Sequence, residues 1–183
     1  NLETRRGMAN DEKRRLGQAA AKLIARKQRV FIDGGTTHMS LLRAIPLNLE
    51  FTVITHSPAI ATALEGHAAS VIVIGGTLFR HSMVATGATA LEAINRTRAD
   101  LAFVGLTGLH PKEGGTTGDY EEAAIKRAII ARSGEPAVLL TSEKLGAVSA
   151  PGVCDVKDLS ALIVPRLAKL KGFPPRGPEI IRV

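Results

Sequence analysis

Asp33-Gly34-Gly35-Thr36-Thr37 is the stretch of this chain best suited to chemistry. The β-branched and aromatic run Val30-Phe31-Ile32 leads into it, and an amphipathic segment from His38 to Ala44 leads out. The pattern is that of strand, tight turn and helix N-terminus. Such a junction offers free backbone N–H groups, two hydroxyls and the positive end of a helix dipole to a small anion, most often a phosphate. Gly34 and Gly35 let the backbone approach the anion and tolerate positive φ. Asp33 suits either of two roles, accepting hydrogen bonds from sugar hydroxyls or capping its own turn. The junction lacks the lysine of a P-loop and the spacing of a dinucleotide fingerprint. A plain strand-to-helix turn has the same composition.

Similar polar turns follow other apolar runs. They are Thr55-His56-Ser57-Pro58, Gly75-Gly76-Thr77, Gly105-Leu106-Thr107-Gly108 and Thr141-Ser142-Glu143-Lys144. In an open α/β sheet, ligands bind beyond the carboxyl ends of the strands. Several such turns on one edge therefore predict a polar small-molecule pocket. Lys144 is placed to pair with a phosphate as a point charge. Asp119, Glu121 and Glu122 open a helix, where the dipole favours acids, and capping accounts best for at least two of them. Lys126 lies one turn further on and faces either pocket or solvent. His38 and His56 have no partners at metal-ligand spacing, so neither a metal nor a cofactor is expected. Cys154 has no visible activating base and reads as a small, buried or half-buried residue.

The elements that must position these residues are legible from periodicity. Asp11 to Arg26 repeats Leu16, Ala19, Ala20, Leu23 and Ile24 at helical spacing. Strands are predicted at 29–33, 51–55, 70–75, 99–105, 136–141 and 161–164, mostly as unalternating runs that suit burial on both faces. Helices are predicted at 37–44, 57–65, 86–96 and 119–132. This alternation predicts an α/β fold, a mainly parallel sheet with helices on both faces. The Gly- and Pro-rich tail from Arg166 reads as a loop before the short apolar end Ile180-Ile181.

At 183 residues and 45% hydrophobic, the chain is long enough for one well-buried α/β domain. Residues 1–10 are expected to be a linker remnant and 11–183 the domain. A single cysteine excludes an internal disulfide and fits a reducing, cytoplasmic compartment. No apolar run reaches the roughly 20 residues a membrane span needs. Aromatic residues are only 3%, with no Trp, which argues against a base-stacking surface. The net charge of +7 is polar in distribution: +6 in residues 1–29, +4 in 166–183 and −3 between them. A DNA-binding core would be basic throughout. The basic ends are either solvated faces or the flank of a DNA-binding module lying before Asn1.

Taken together, the motifs resemble the C-terminal sensor domain of the DeoR family of bacterial transcriptional regulators. The matching residues are Glu12-Lys13-Arg14, Asp33 to Thr37, Val53-Ile54-Thr55-His56-Ser57, Gly75-Gly76-Thr77-Leu78 and Ala99-Asp100-Leu101-Ala102-Phe103-Val104-Gly105. Gly115-Thr116-Thr117, Glu121 to Arg127 and Ser142-Glu143-Lys144-Leu145-Gly146 complete the series, in family order, over roughly residues 12–165. The resemblance implies a fold similar to type A ribose-5-phosphate isomerase. It also implies a phosphorylated sugar or related metabolite as effector, and a winged helix-turn-helix ahead of this domain that contacts operator DNA. Half-site recognition would need at least a dimer, so a homo-oligomer, dimer or tetramer, is expected. The ligand-binding set on this reading is Asp33, Gly34, Gly35, Thr36, Thr37, Thr55, His56, Ser57, Gly75, Gly76, Thr107, Lys126 and Lys144. Two positions depart from the family, which usually has Asn at His56 and Asp at Thr107.

The rival reading is a sugar-phosphate isomerase or related enzyme of the same fold. That chemistry needs a carboxylate to move a proton between adjacent carbons. Matched to the isomerase motifs, this chain reads Val104-Gly105-Leu106-Thr107-Gly108 where two Asp residues belong, and Lys126 where a Glu belongs. Thr cannot shuttle the proton, and a charged lysine is a poor base near pH 7. The sequence therefore favours a sensor that keeps the pocket and not the catalyst.

Overall fold

The structure, a computed structural model, describes the backbone of residues 2–183 and the side chains from residue 9 onward. Its centre is a seven-stranded, wholly parallel sheet. The strands are β1 (Arg29–Ile32), β2 (Thr52–Thr55), β3 (Ser70–Val73), β6 (Ala99–Phe103), β9 (Ser133–Leu139), β11 (Ala161–Val164) and β12 (Glu179–Arg182). They lie in the order β12-β11-β9-β6-β1-β2-β3. The chain starts at the middle, winds outward through β2 and β3, then returns to β6 and winds out the other way. The switch falls between β1 and β6, where an open α/β sheet leaves a crevice at its carboxyl edge.

The continuous apolar runs are explained by what covers each face. On one side pack α1 (Leu2–Ala21), α2 (Thr36–Ala44) and α3 (Pro58–Ala63); on the other pack α4 (Gly87–Asn95) and α5 (Tyr120–Ala131). Val30, Ile32, Val53, Leu101, Phe103, Ala137, Leu139 and Ile163 point into the first core. Phe31, Ile54, Ala102, Val104, Val138, Leu140 and Leu162 point into the second. A period of two thus divides every central strand between two cores, and both faces need apolar residues. The close approach of α1 to α2 depends on Gly17, where a Cβ would fall 2.6 Å from Leu41 N.

The predicted helices and strands are present, with shifts at their ends. α1 begins at Leu2, not Asp11, so the stretch expected as linker is helical; it contains good helix formers and no proline. The same helix stops at Ala21, and Leu23 and Ile24 fall in tight i→i−3 turns beyond it. The tail expected to be a loop ends in β12, whose Ile180 and Ile181 pair with Leu162 and Ile163. β3 departs from the burial expected of it: Val71, Ile72 and Val73 are exposed, because β3 is the sheet's outer edge.

Five short strands lie outside the expected set. β4 (Thr77–Phe79) and β5 (Val84–Thr86) form an antiparallel hairpin after β3. β7 (Gly108–His110), β8 (Gly114–Thr116) and β10 (Gly152–Cys154) form a three-stranded antiparallel sheet. Both add-ons rise from the carboxyl edge of the parallel sheet and wall the crevice there.

Candidate functional site

Beneath the crevice lies a buried charged hub. Asp33 directly follows β1 and is only 1% exposed, yet every acceptor position of its carboxylate is used. Oδ1 accepts from Gly34 N at 2.7 Å and lies 2.7 Å from His56 Nε2. Oδ2 accepts from Gly105 N at 2.8 Å and from Lys126 Nζ at 2.6 Å. The carboxylate therefore ties β1 to the turns after β2 and β6 and to α5, across the switch point of the sheet. Burial disfavours its charge, but the Lys126 ammonium and the His56 ring outweigh burial and hold Asp33 well below the usual carboxylate range.

The two histidines play different parts. His56 Nδ1 lies 2.7 Å from the Ala85 carbonyl, while Nε2 faces Asp33. Both partners are hydrogen-bond acceptors, so the ring bridges the carboxylate and the hairpin backbone. His38 instead places Nδ1 2.8 Å from the Asp33 carbonyl and 3.2 Å from that of Gly34. Burial pushes its pKa below 6.5, although the Asp33 carboxylate pulls the other way. The neutral ring holds the turn by its backbone.

Above the hub opens a cleft of about 460 Å³. Gly34 and Gly105 supply backbone, Lys126 and Lys144 supply cations, and Thr107, Thr117, Gly118, Asp119 and Glu122 line the side toward α5. Phe79, His81 and Ser82, from the β4–β5 hairpin, form the opposite wall. Lys144 sits in a short 3-10 turn, Ser142–Lys144, after β9. Burial, and then the Lys13 ammonium, push its pKa below the usual lysine range. Among the described residues Lys144 has no salt-bridge partner. Lys126 spends one N–H on Asp33 and has two more to offer. The acids of the cleft are engaged: Asp119 caps α5 through Glu121 N and Glu122 N, at 2.9 and 3.0 Å. Glu122 accepts from Ser82 Oγ at 2.8 Å. What remains unpartnered is positive, which suits an anionic ligand.

Of the residues expected at the site, Gly34, Thr107, Lys126 and Lys144 line this cleft. Asp33 and His56 lie beneath it as the hub, so Asp33 takes the capping role of its two options and presents no free oxygen to a sugar. Gly35 and Thr36 sit on the exposed start of α2, where no side chain caps the helix. Thr36 Oγ1 accepts from Lys13 Nζ at 3.0 Å and borders a separate groove between α1 and α2. Thr37 is buried. Thr55 is fully buried; its hydroxyl donates to the Ile32 carbonyl and accepts from Ser57 N. Ser57 caps α3. Both hydroxyls turn inward, since a strand end buried on both faces needs them for its own backbone. Gly76 packs on α4, where a Cβ would lie 2.6 Å from the Thr86 carbonyl oxygen, and neither it nor Gly75 lines the cleft.

Phe79, His81, Ser82, Glu122, Thr117 and Gly118 line the cleft without having been singled out as ligand-binding. Only Glu122 carried a signal, at i−4 from Lys126 on a helix, which puts both on one face. Cys154 is half-buried, and burial pushes its thiol up to about 11. Among the described residues no group of three or more His, Cys, Asp or Glu is placed to hold a metal ion. Nor is any described helix long and apolar enough to cross a membrane.

The family described as the DeoR C terminal sensor domain matches residues 8–166. The HTH-type transcriptional regulator GlpR of Haloferax volcanii is 33% identical over 134 residues, which cover 73% of this chain and 52% of that protein. The HTH-type transcriptional repressor GlcR of Bacillus subtilis is 27% identical, covering 86% and 61%. The deoxyribose operon repressor of Escherichia coli is 25% identical, covering 84% and 61%. The chain spans roughly half to three-fifths of the length of these curated relatives. Ribose 5-phosphate isomerase A from Methanocaldococcus jannaschii superposes with a TM-score of 0.54 at 15% identity, over 74% of this chain and 54% of that one. A probable sor operon regulator from Shigella flexneri gives 0.50 at 10% identity, over 73% and 76%. At such identities the structural likeness establishes the fold alone.

Proposed function

This chain belongs to the DeoR C terminal sensor domain family, and we propose that its cleft binds a phosphorylated sugar or a closely related anionic metabolite. The family is one of effector-sensing parts of transcriptional regulators of sugar metabolism, and a small-molecule effector follows from membership. The phosphate is the further step. The observation that carries it is the cleft's charge. Its acids are engaged in a helix cap and a hydroxyl contact, while Lys144 is desolvated without a salt-bridge partner among the described residues. A phosphate here gains Lys144 and the remaining donors of Lys126.

In the whole regulator, a DNA-binding module outside residues 1–183 would read operator half-sites as a homo-oligomer, and the effector would bias its arrangements. The enzyme alternative has no support from the site. Where the isomerase motifs want a proton-shuttling carboxylate, Lys126 is buried and bound to Asp33.

The test is a thermal-shift screen of this chain against sugar phosphates, each paired with its unphosphorylated sugar. A ligand at 100 times its Kd adds about 2.7 kcal/mol of apparent stability. At about 2–4 °C per kcal/mol for a chain of this size, the shift is roughly 5–11 °C. A sugar that shifts the melt as much without its phosphate as with it overturns the anion reading.

A further inference from the structure

The two outer edges of the parallel sheet are built differently. β12 carries Glu179 and Arg182 at its ends, Pro178 precedes it, and Arg182 Nη1 reaches back to the carbonyls of Arg166 and Ala168. Charges, a proline and a covering segment are the usual guards against strand addition. β3 has none of them. From Ala68 to Phe79 the chain holds no charged residue at all. Val71, Ile72 and Val73 are 36, 48 and 56% exposed. Leu47 lies at the lower end of this edge, its carbonyl bonded to Ala68 N, and Leu78 and Met83 lie in the hairpin that follows β3. These six make up most of the ten exposed large apolar side chains among the described residues.

The backbone of β3 is equally open. Ser70 N and Ile74 N donate inward, to Phe51 and Thr55 of the β2 segment. By the alternation of a strand, the N–H and C=O groups of Val71 and Val73 then point outward.

We propose that the β3 edge is the surface on which two copies of this chain associate, with β3 running antiparallel to its counterpart about a two-fold axis. The proposal deepens the homo-oligomer reading above and rests on it. The occupant follows from charge and pattern. The positive charge that repels copies of this chain is concentrated in residues 1–29 and in the tail 166–183 that carries β12, and the uncharged β3 stretch lies outside both. A strand edge is self-complementary under a two-fold axis, as an isologous interface requires. Val71 and Val73 supply the pairing groups, and the exposed apolar side chains of the two copies pack beside one another across the joint.

The experiment is sedimentation of the chain and three variants, with circular dichroism melts alongside. Ile72→Lys puts a charge into the joint. Val73→Pro removes an N–H that has no partner within the chain and so blocks pairing while sparing the internal ladder. Ile180→Lys, on β12, is the control. The wild type and the control are expected at twice 19.3 kDa or a multiple of it, and the two β3 variants at half the wild-type mass with cooperative melts. If both β3 variants melt cooperatively and keep the wild-type mass, the β3 assignment is wrong and the oligomer reading stands. If Ile180→Lys lowers the mass while they do not, β12 is the interface. A wild type that sediments at 19.3 kDa overturns the oligomer reading and this proposal with it.

Discussion

Replacing Asp33 by Asn tests the hub on which the cleft rests. The substitution preserves shape and removes charge. Oδ1 now serves Gly34 N and His56, and Oδ2 serves Gly105 N and Lys126. An amide has one acceptor oxygen. If that oxygen takes the Oδ1 position, the NH2 group points at Gly105 N–H and the Lys126 ammonium, donor against donor. Flipping the amide moves the same conflict to Gly34 and His56. In either orientation the Lys126 ammonium, 5% exposed, is left with no carboxylate against it. Stranding one member of a buried ion pair costs about 3–5 kcal/mol. That is a large share of the roughly 5–15 kcal/mol that holds a domain together. The assay is urea unfolding followed by far-UV circular dichroism, with a melting temperature expected to fall by roughly 6–20 °C. A second arm, Asp33→Asn with Lys126→Met, removes the stranded charge and should recover most of the loss, to within about 1–2 kcal/mol of wild type. A loss below about 1 kcal/mol for Asp33→Asn alone, the magnitude of an exposed pair, would refute the hub.

Gly35 has φ of 127° with nothing within 4 Å of a Cβ, so Gly35→Val adds no clash but strains the backbone. The variant should fold with a loss of about 1–3 kcal/mol in urea titration and should bind sugar phosphate measurably more weakly by calorimetry, because the turn next to Gly34 is displaced. Lys144→Ala should weaken that binding by about 10- to 100-fold, the worth of one charge-assisted hydrogen bond, with little change in melting temperature. Because the pKa of Lys144 is depressed, wild-type affinity should fall as pH rises through it, and the alanine variant should lose that dependence. On the acid side, His38 has a folded pKa below 6.5, so the unfolded chain takes up its proton first. Stability present above pH 6.5 should decline as pH drops below it, and Asp33 adds a second decline below pH 3.8; His38→Gln should remove the first stage only.

The parallel sheet was legible because its strands carry their information locally. Val30-Phe31-Ile32 and Ala161 to Val164 are apolar on both faces, and their ends are marked by Asp33-Gly34 and Pro165. The hairpin of β4 and β5 and the small sheet of β7, β8 and β10 were not, since strands of three residues carry no usable period. Their pairing is set by contacts such as Cys154 against Gly115, far apart in sequence. Within the site, residue type located donors but not their direction. Thr55, Ser57 and Lys126 are equally polar in the sequence, yet two turn into the fold's own backbone and one into the cleft floor. Asp33 was recognised as important for a turn, while its partners at His56, Gly105 and Lys126 are 23, 72 and 93 residues away. Nothing at Ser82 announces that it meets Glu122 across the cleft.

Sensing requires that the ligand touch parts that can move relative to one another. The cleft is walled by two separate parts of the fold. One wall is α5 and the turn after β6, fixed through Lys126, Gly105 and Asp33 to the centre of the sheet. The other wall is the tip of the β4–β5 hairpin, held to α5 by the Ser82–Glu122 contact and to β2's turn by Ala85 N donating to the His56 carbonyl. That hairpin continues directly from β3 through Gly75 and Gly76, and β3 is the edge assigned to the second copy. On the proposed reading, a ligand bridging Phe79, His81 and Ser82 to Lys126 and Lys144 would bear on the segment that leads to the proposed interface. Coupling of this kind is worth typically about 1–3 kcal/mol, and only as much as the ligand's affinity differs between the two hairpin positions. The His56 ring touches both sides of this arrangement, Asp33 on one nitrogen and the hairpin's Ala85 on the other. His56 is thus the one side chain of the site that spans from hub to hairpin among the described residues.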